Sequence, residues 1–189
     1  SIPGSSRKKV DVVQTIKVSH PVLSLNTSVT MSAIRAALAA MSATQGEEET
    51  VVQVILGRAF PPASVPQEFP NPEAKWYNAV LGNIRPATPE HRKSAKEKAE
   101  QHQFNVVIRV GASGKDAEYH VNSILSALQT LEAAGVKIRA EAEPADRLNN
   151  VHLPKHILLR LSVKELGSFL LLPAGEEPLP GTPELHPRE

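Results

Sequence analysis

Phe104-Asn105-Val106-Val107-Ile108-Arg109-Val110-Gly111-Ala112 and the residues just after it decide how this chain folds. Phe104, Val106, Ile108 and Val110 alternate with Asn105, Val107 and Arg109, which is the two-residue period of a strand. From about Asp116 to Ala134 the period lengthens. Val121, Ile124, Leu125, Leu128 and Leu131 recur every three or four residues and make one apolar stripe on a helix. Gly135 closes that helix, and Val136–Ala142 (VKIRAEA) predicts a further strand.

The same unit stands 90 residues upstream, where Ile34-x3-Leu38-x2-Met41 matches Ile124-x3-Leu128-x2-Leu131. Val10–Val18 alternates as a strand and stops at His20-Pro21, because proline lacks a ladder donor. Thr30–Ala43 reads as a helix ending before Gly46, and Glu47-Glu48-Glu49 leads into a second strand, Val51–Phe60. Two βαβ halves predict an α+β fold of ferredoxin-like type: a four-stranded antiparallel sheet with two helices on one face. Recurrence of a common unit without duplication gives the same pattern. A parallel doubly wound sheet would call for more βα units.

Between the halves lies a Pro-rich helical insertion, residues 61–102. Seven of the chain's 16 prolines fall between Pro61 and Pro89. Glu73–Leu81 predicts a short helix carrying Trp76 and Tyr77, notable in a chain with only 4% aromatic residues. These two rings either pin the insertion onto the domain or anchor an interface. Thr88-Pro89-Glu90 opens a helix running to His102, with proline at its first position. Its apolar residues are few, Ala95 and Ala99, so most of it is expected to face water.

Beyond Ala142, Pro144–Asn150 reads as a loop and Ile157–Leu161 as a short strand. Ser162-Val163-Lys164-Glu165 is a capping box opening a helix to about Leu171. Residues 1–9 read as a flexible start, with Ser1 in place of Met suggesting a cut or processed end. Residues 10–172 read as one domain, and the proline-punctuated 173–189 as a linker.

The chain has 189 residues and 41% hydrophobic composition, enough to close a core. Lys plus Arg number 21 against 20 Asp plus Glu, so any nucleic-acid contact must come from a local patch. With no cysteine, disulfides, thiolate catalysis and cysteine-ligated metals are excluded. No apolar run reaches the length of a membrane-spanning helix.

Gly111-Ala112-Ser113-Gly114-Lys115-Asp116 sits where a phosphate loop would, between strand and helix. Arg109 occupies the first glycine position of that motif and Asp116 the Ser/Thr position, where a carboxylate repels phosphate, so it reads as a plain turn. His152 and His156 have one-turn spacing, but Pro154 between them disfavours the helix a metal pair would need. No nucleophile framework or paired carboxylates suggest catalysis. The candidate nucleic-acid contacts are Arg92, Lys93, Lys96 and Lys98, diluted by Glu90, Glu97 and Glu100, with the strand residues Arg109 and Arg139 beside them.

Several segments taken together resemble a known family. Val51-Val52-Gln53-Val54-Ile55-Leu56-Gly57-Arg58-Ala59 is similar to a VVQ(V/W)xLGPA strand of actinobacterial conjugation and type IV secretion proteins. Lys96–Glu100 through Phe104–Val110, then Leu161–Gly167 and Pro178-Leu179-Pro180-Gly181, resemble later segments of the same proteins, and Leu185–Arg188 also fits. Leu170-Leu171-Leu172-Pro173 departs from the family's tryptophan-containing LLxWP stretch.

The resemblance implies the N-terminal domain of an ATPase of the HerA–FtsK (TraG-like) superfamily, ahead of a hexameric motor. It implies a cytoplasmic accessory domain, at the inner face of the membrane through its partners, contacting other secretion-machinery subunits and its own downstream motor domain. No segment here matches a Walker motif. ATP and Mg²⁺ are therefore expected only in that downstream domain, with no cofactor and no catalytic residue here. A ferredoxin-like nucleic-acid-binding module of the same machinery is the alternative.

Overall fold

The structure, a computed structural model, describes residues 8–44, 48–65, 70–72, 86–154, 157 and 159–172. The predicted helix at Glu73–Leu81, with Trp76 and Tyr77, lies outside these residues, as does the proline-rich 173–189.

Strands β1 (Val12–Val18), β2 (Thr50–Phe60), β3 (Gln103–Ala112), β4 (Ile138–Ala142) and β5 (Arg160–Ser162) form one sheet. The helices are α1 (Thr30–Ser42), α2 (Pro89–Ala99), α3 (Ala117–Gln129), α4 (Ala145–Asn149) and α5 (Val163–Phe169). The strand order is β2-β3-β1-β4 and the pairings are antiparallel. Each predicted half therefore places a strand between the two strands of the other, and neither half has a sheet of its own.

The sheet has five strands where four were expected, because β5 pairs with the start of β3. β2 occupies one edge of β3 along its whole length, from Phe60↔Gln103 to Thr50↔Ala112. β1 (at Arg109–Ala112) and β5 (at Gln103–Asn105) must then share the other edge. β1 leaves β3 after Thr15↔Arg109 and continues beside β4 as far as Val18↔Ile138. The sheet forks there, and β5 fills the wedge.

Strand alternation sorts the residues onto two faces. Val54, Ile108, Ile16 and Ala140 point to the inner face and belong to the main core with Ile124, Leu128 and Leu131 of the α3 segment and Ala33 and Ala37 of α1. The small alanines let α1 come close to α3. Leu166 and Phe169 of α5 close the same core.

The predicted helix starts hold. Thr88 Oγ1 accepts the His91 N–H at 3.2 Å with Pro89 at the first turn. Ser162 and Glu165 form a reciprocal capping box. One further expectation is corrected: residues 144–150, read as a loop, contain the single-turn helix α4, too short to show a period. Most of α2 faces water as expected, and its inner face is His91, Ala95 and Lys98, spaced four and three apart and buried.

Candidate functional site

One residue along from the apolar row, the sheet's outer face carries a polar one. Gln53, Arg109, Thr15 and Glu141 are successive cross-strand neighbours. Arg109 is fully buried. Such a charge is tolerable only if every donor is satisfied, and each of its five N–H groups is. Nε donates to Glu143 Oε2 at 2.7 Å and Nη2 to Glu143 Oε1 at 3.3 Å. Nη1 donates to Gln53 Oε1 at 3.0 Å and, more loosely, to the Arg147 carbonyl at 3.5 Å. Nη2 also reaches the His152 carbonyl at 2.7 Å.

Glu143 is equally saturated, since Thr15 Oγ1 and Arg147 Nη1 donate to it as well. Burial pushes its carboxyl pKa up, but hydrogen bonds from Arg109, Thr15 and Arg147 outweigh that and hold it at about 2. Arg109 thus ties the segment after β4 across the outer face.

Leu148 of α4 is the apolar half of that attachment, packed with Val10 and Val13 in a small second core. It comes so close to β3 that a Cβ on Gly111 would stand 2.9 Å from Leu148 Cδ1. After α4 the chain makes a Schellman turn: Val151 N–H bonds to the Leu148 carbonyl at 3.2 Å and His152 N–H to the Arg147 carbonyl at 2.8 Å. The left-handed position of this turn, normally glycine, is Val151, with φ 55°. Its β-branched side chain is strained there, yet 56% exposed, and Leu153 beside it is 63% exposed.

Between the attached segment and the fork of the sheet lies a cavity of about 340 Å³. Val107, Pro154, Ile157 and Leu159 make its apolar walls, and its charged residues are Lys17, Arg109 and Arg147 with Glu141 and Glu143, Lys17 being paired to Glu141 at 3.2 Å.

The residues singled out from the sequence lie elsewhere. Arg92, Lys93 and Lys96 are exposed on α2, but Lys93 pairs with Glu97 at 4.0 Å and Lys96 with Glu100 at 3.7 Å. Lys98, expected in the same row, is corrected. It is 1% exposed, and its ammonium donates to Glu165 at 2.9 and 3.1 Å and to the Leu23 carbonyl at 3.2 Å. Burial lowers its pKa, with Glu165 opposing. Arg109 is likewise corrected from a strand-surface contact to a buried tie; Arg139 is exposed.

The Gly111–Asp116 turn has its anion positions filled from within. Asp11 Oδ2 accepts the Gly114 N–H at 3.2 Å, and Glu48 Oε1 the Asp116 N–H at 3.4 Å. Glu48 also meets His120 at 3.0 Å. His152 lies 3.8 Å from Asp146, and His156 is outside the described residues. Among the described residues no cluster of three potential ligands could hold a metal, and no helix is long and apolar enough to cross a membrane.

Sequence reading missed Glu143 and the placing of Arg109. The available signal was an arginine between Ile108 and Val110, in a strand otherwise fit for burial on both faces. No family model, curated protein or solved structure matches the chain.

Proposed function

We propose that this chain is a non-catalytic accessory domain that helps assemble or dock the ATP-driven motor of a conjugation or type IV secretion machine. We read its frame as ferredoxin-like and duplicated: interleaved βαβ halves in the order β2-β3-β1-β4, with β5 as an addition. The resemblance at Val51–Ala59, Phe104–Val110 and Leu161–Gly167 supports the setting. One observation carries the non-catalytic part. The buried charged cluster beside the cavity has all five donors of Arg109 engaged and Glu143 bonded to three side chains. Such groups hold a scaffold and have nothing left to offer a reacting substrate.

Co-purification with a conjugation motor ATPase tests this reading. A stable complex is expected, with no ATP bound by this chain alone. ATP binding at physiological concentration, or no association with the motor, would overturn it.

The second reading, a nucleic-acid-binding module, draws support from Arg58, Arg139 and Arg160, exposed without a carboxylate partner among the described residues. Its test is affinity for single- and double-stranded DNA that falls with salt. Lys98→Glu is the wrong variant for that purpose, because it strikes the core.

A further inference from the structure

Phe60, at the end of β2, is half-buried, with the Arg160 guanidinium carbon 3.8 Å from its ring centroid and that of Arg58 at 5.3 Å. Contact with one ring restrains both guanidiniums, and both arginines remain exposed to water. Neither pairs with a carboxylate among the described residues. This patch adjoins the outer-face cavity. A Cβ on Gly57 would stand 3.2 Å from Ile157 Cδ1, a cavity wall, and Arg160 follows Leu159, another wall. Arg147 lines the same cavity and gives Nη1 to Glu143, keeping other donors for solvent. Val151 and Leu153 add exposed apolar surface next to Pro154. Strain such as that at Val151 persists only where the surroundings impose it, and here Arg109 fixes the carbonyls on both sides of the turn.

We propose that this surface docks an acidic segment of a protein partner, which seats one apolar side chain in the cavity and lays carboxylates against Arg58, Arg160 and Arg147. The proposal rests on the accessory-domain reading and names the contact surface for it. With Lys17 paired to Glu141 and Arg109 to Glu143, the surplus charge left to the surface is the cationic one of Arg58, Arg160 and Arg147. It selects an acidic occupant, since planar guanidinium edges suit carboxylates in paired fashion. The cavity walls select protein over nucleic acid. They are aliphatic, whereas bases seek aromatic faces, and Phe60 already has guanidiniums against its ring.

The test uses fluorescence anisotropy with a short labelled peptide of aspartates and glutamates around one central leucine. Binding is expected, weakening with salt. It should drop about tenfold or more when Arg58→Glu and Arg160→Glu are combined, and again when the peptide's leucine becomes serine. Both arginines are exposed, so the thermal midpoint should not move. If it does, Arg58→Gln with Arg160→Gln replaces the first variant, and shifts of the Gly57, Arg147 and Leu153 backbone resonances on peptide addition locate the contact. Failure of the peptide to bind, or binding indifferent to these changes, sinks the proposal. So does tighter binding of a single-stranded oligonucleotide that the same variants abolish. Motor association that survives the double variant would leave the accessory reading standing and remove only this surface.

Discussion

Two buried ion pairs tie late parts of the chain to earlier ones, and they do so in opposite settings. Lys98–Glu165 joins α2 to α5 and is the more deeply buried, its side chains 2% and 1% exposed, with Glu165 alone bordering a smaller recess of about 240 Å³. Glu165 also accepts the N–H groups of Leu25 at 2.8 Å and Ser162 at 2.7 Å, so one carboxylate gathers three segments. Arg109–Glu143 joins β3 to the segment after β4. Its arginine is fully buried, but Glu143 keeps 11% exposure and both residues line an open cavity. A pair with both side chains out of solvent serves to hold the fold together. A pair in a cavity wall holds the fold and also shapes a space that another molecule can enter.

The largest expected effect comes from breaking the more deeply buried pair. Lys98→Met should cost about 3–5 kcal/mol, because it strands a carboxylate that is only 1% exposed. Adding Glu165→Gln should recover part of this by removing the stranded charge, but only part, because its one amide oxygen can accept the N–H of Leu25 or of Ser162, which now bond to different carboxylate oxygens. Urea midpoints of the two variants check both statements. Arg109→Leu should cost less, about 3 kcal/mol, at the lower end of that range, because water can reach Glu143 through the cavity. An equal or larger loss for Arg109→Leu would break the comparison.

Acid should expose the second pair. Glu143 has its pKa lowered from 4.5 to about 2, so its contribution to stability is complete above about 4.5 and is lost as pH falls through about 2. The stability gap between wild type and Glu143→Gln should therefore be constant at neutral pH and shrink below pH about 4.5. Urea titrations at a series of acid pH values measure it. The smallest effect concerns the turn beside the cavity, where Val151→Gly should raise stability by about 1 kcal/mol through relief of left-handed strain. A rise in the thermal midpoint is the readout, and a fall would show that the valine side chain packs usefully after all.

Much of the frame was legible because its signals are local. The two-residue period of Phe104–Ala112, the stripe from Val121 to Leu131, Thr88-Pro89 and the Ser162–Glu165 box each act within a few residues, and all are present in the structure. The candidate site was not legible, since its groups meet across long separations: Arg109 and Glu143 are 34 residues apart, and Thr15 reaches Glu143 across 128.

Lys96 and Lys98 show the boundary most clearly. They share a helix, a charge and near-identical neighbours, and composition treats them alike. The sequence by itself determined that α2 forms and where it starts, because caps and propensities act within a turn. Only the tertiary structure decided that Lys98 turns inward to Glu165 while Lys96 stays in water beside Glu100. The reason is physical: burial of a charge depends on a partner being delivered to it, and here that partner arrives from 67 residues further along the chain.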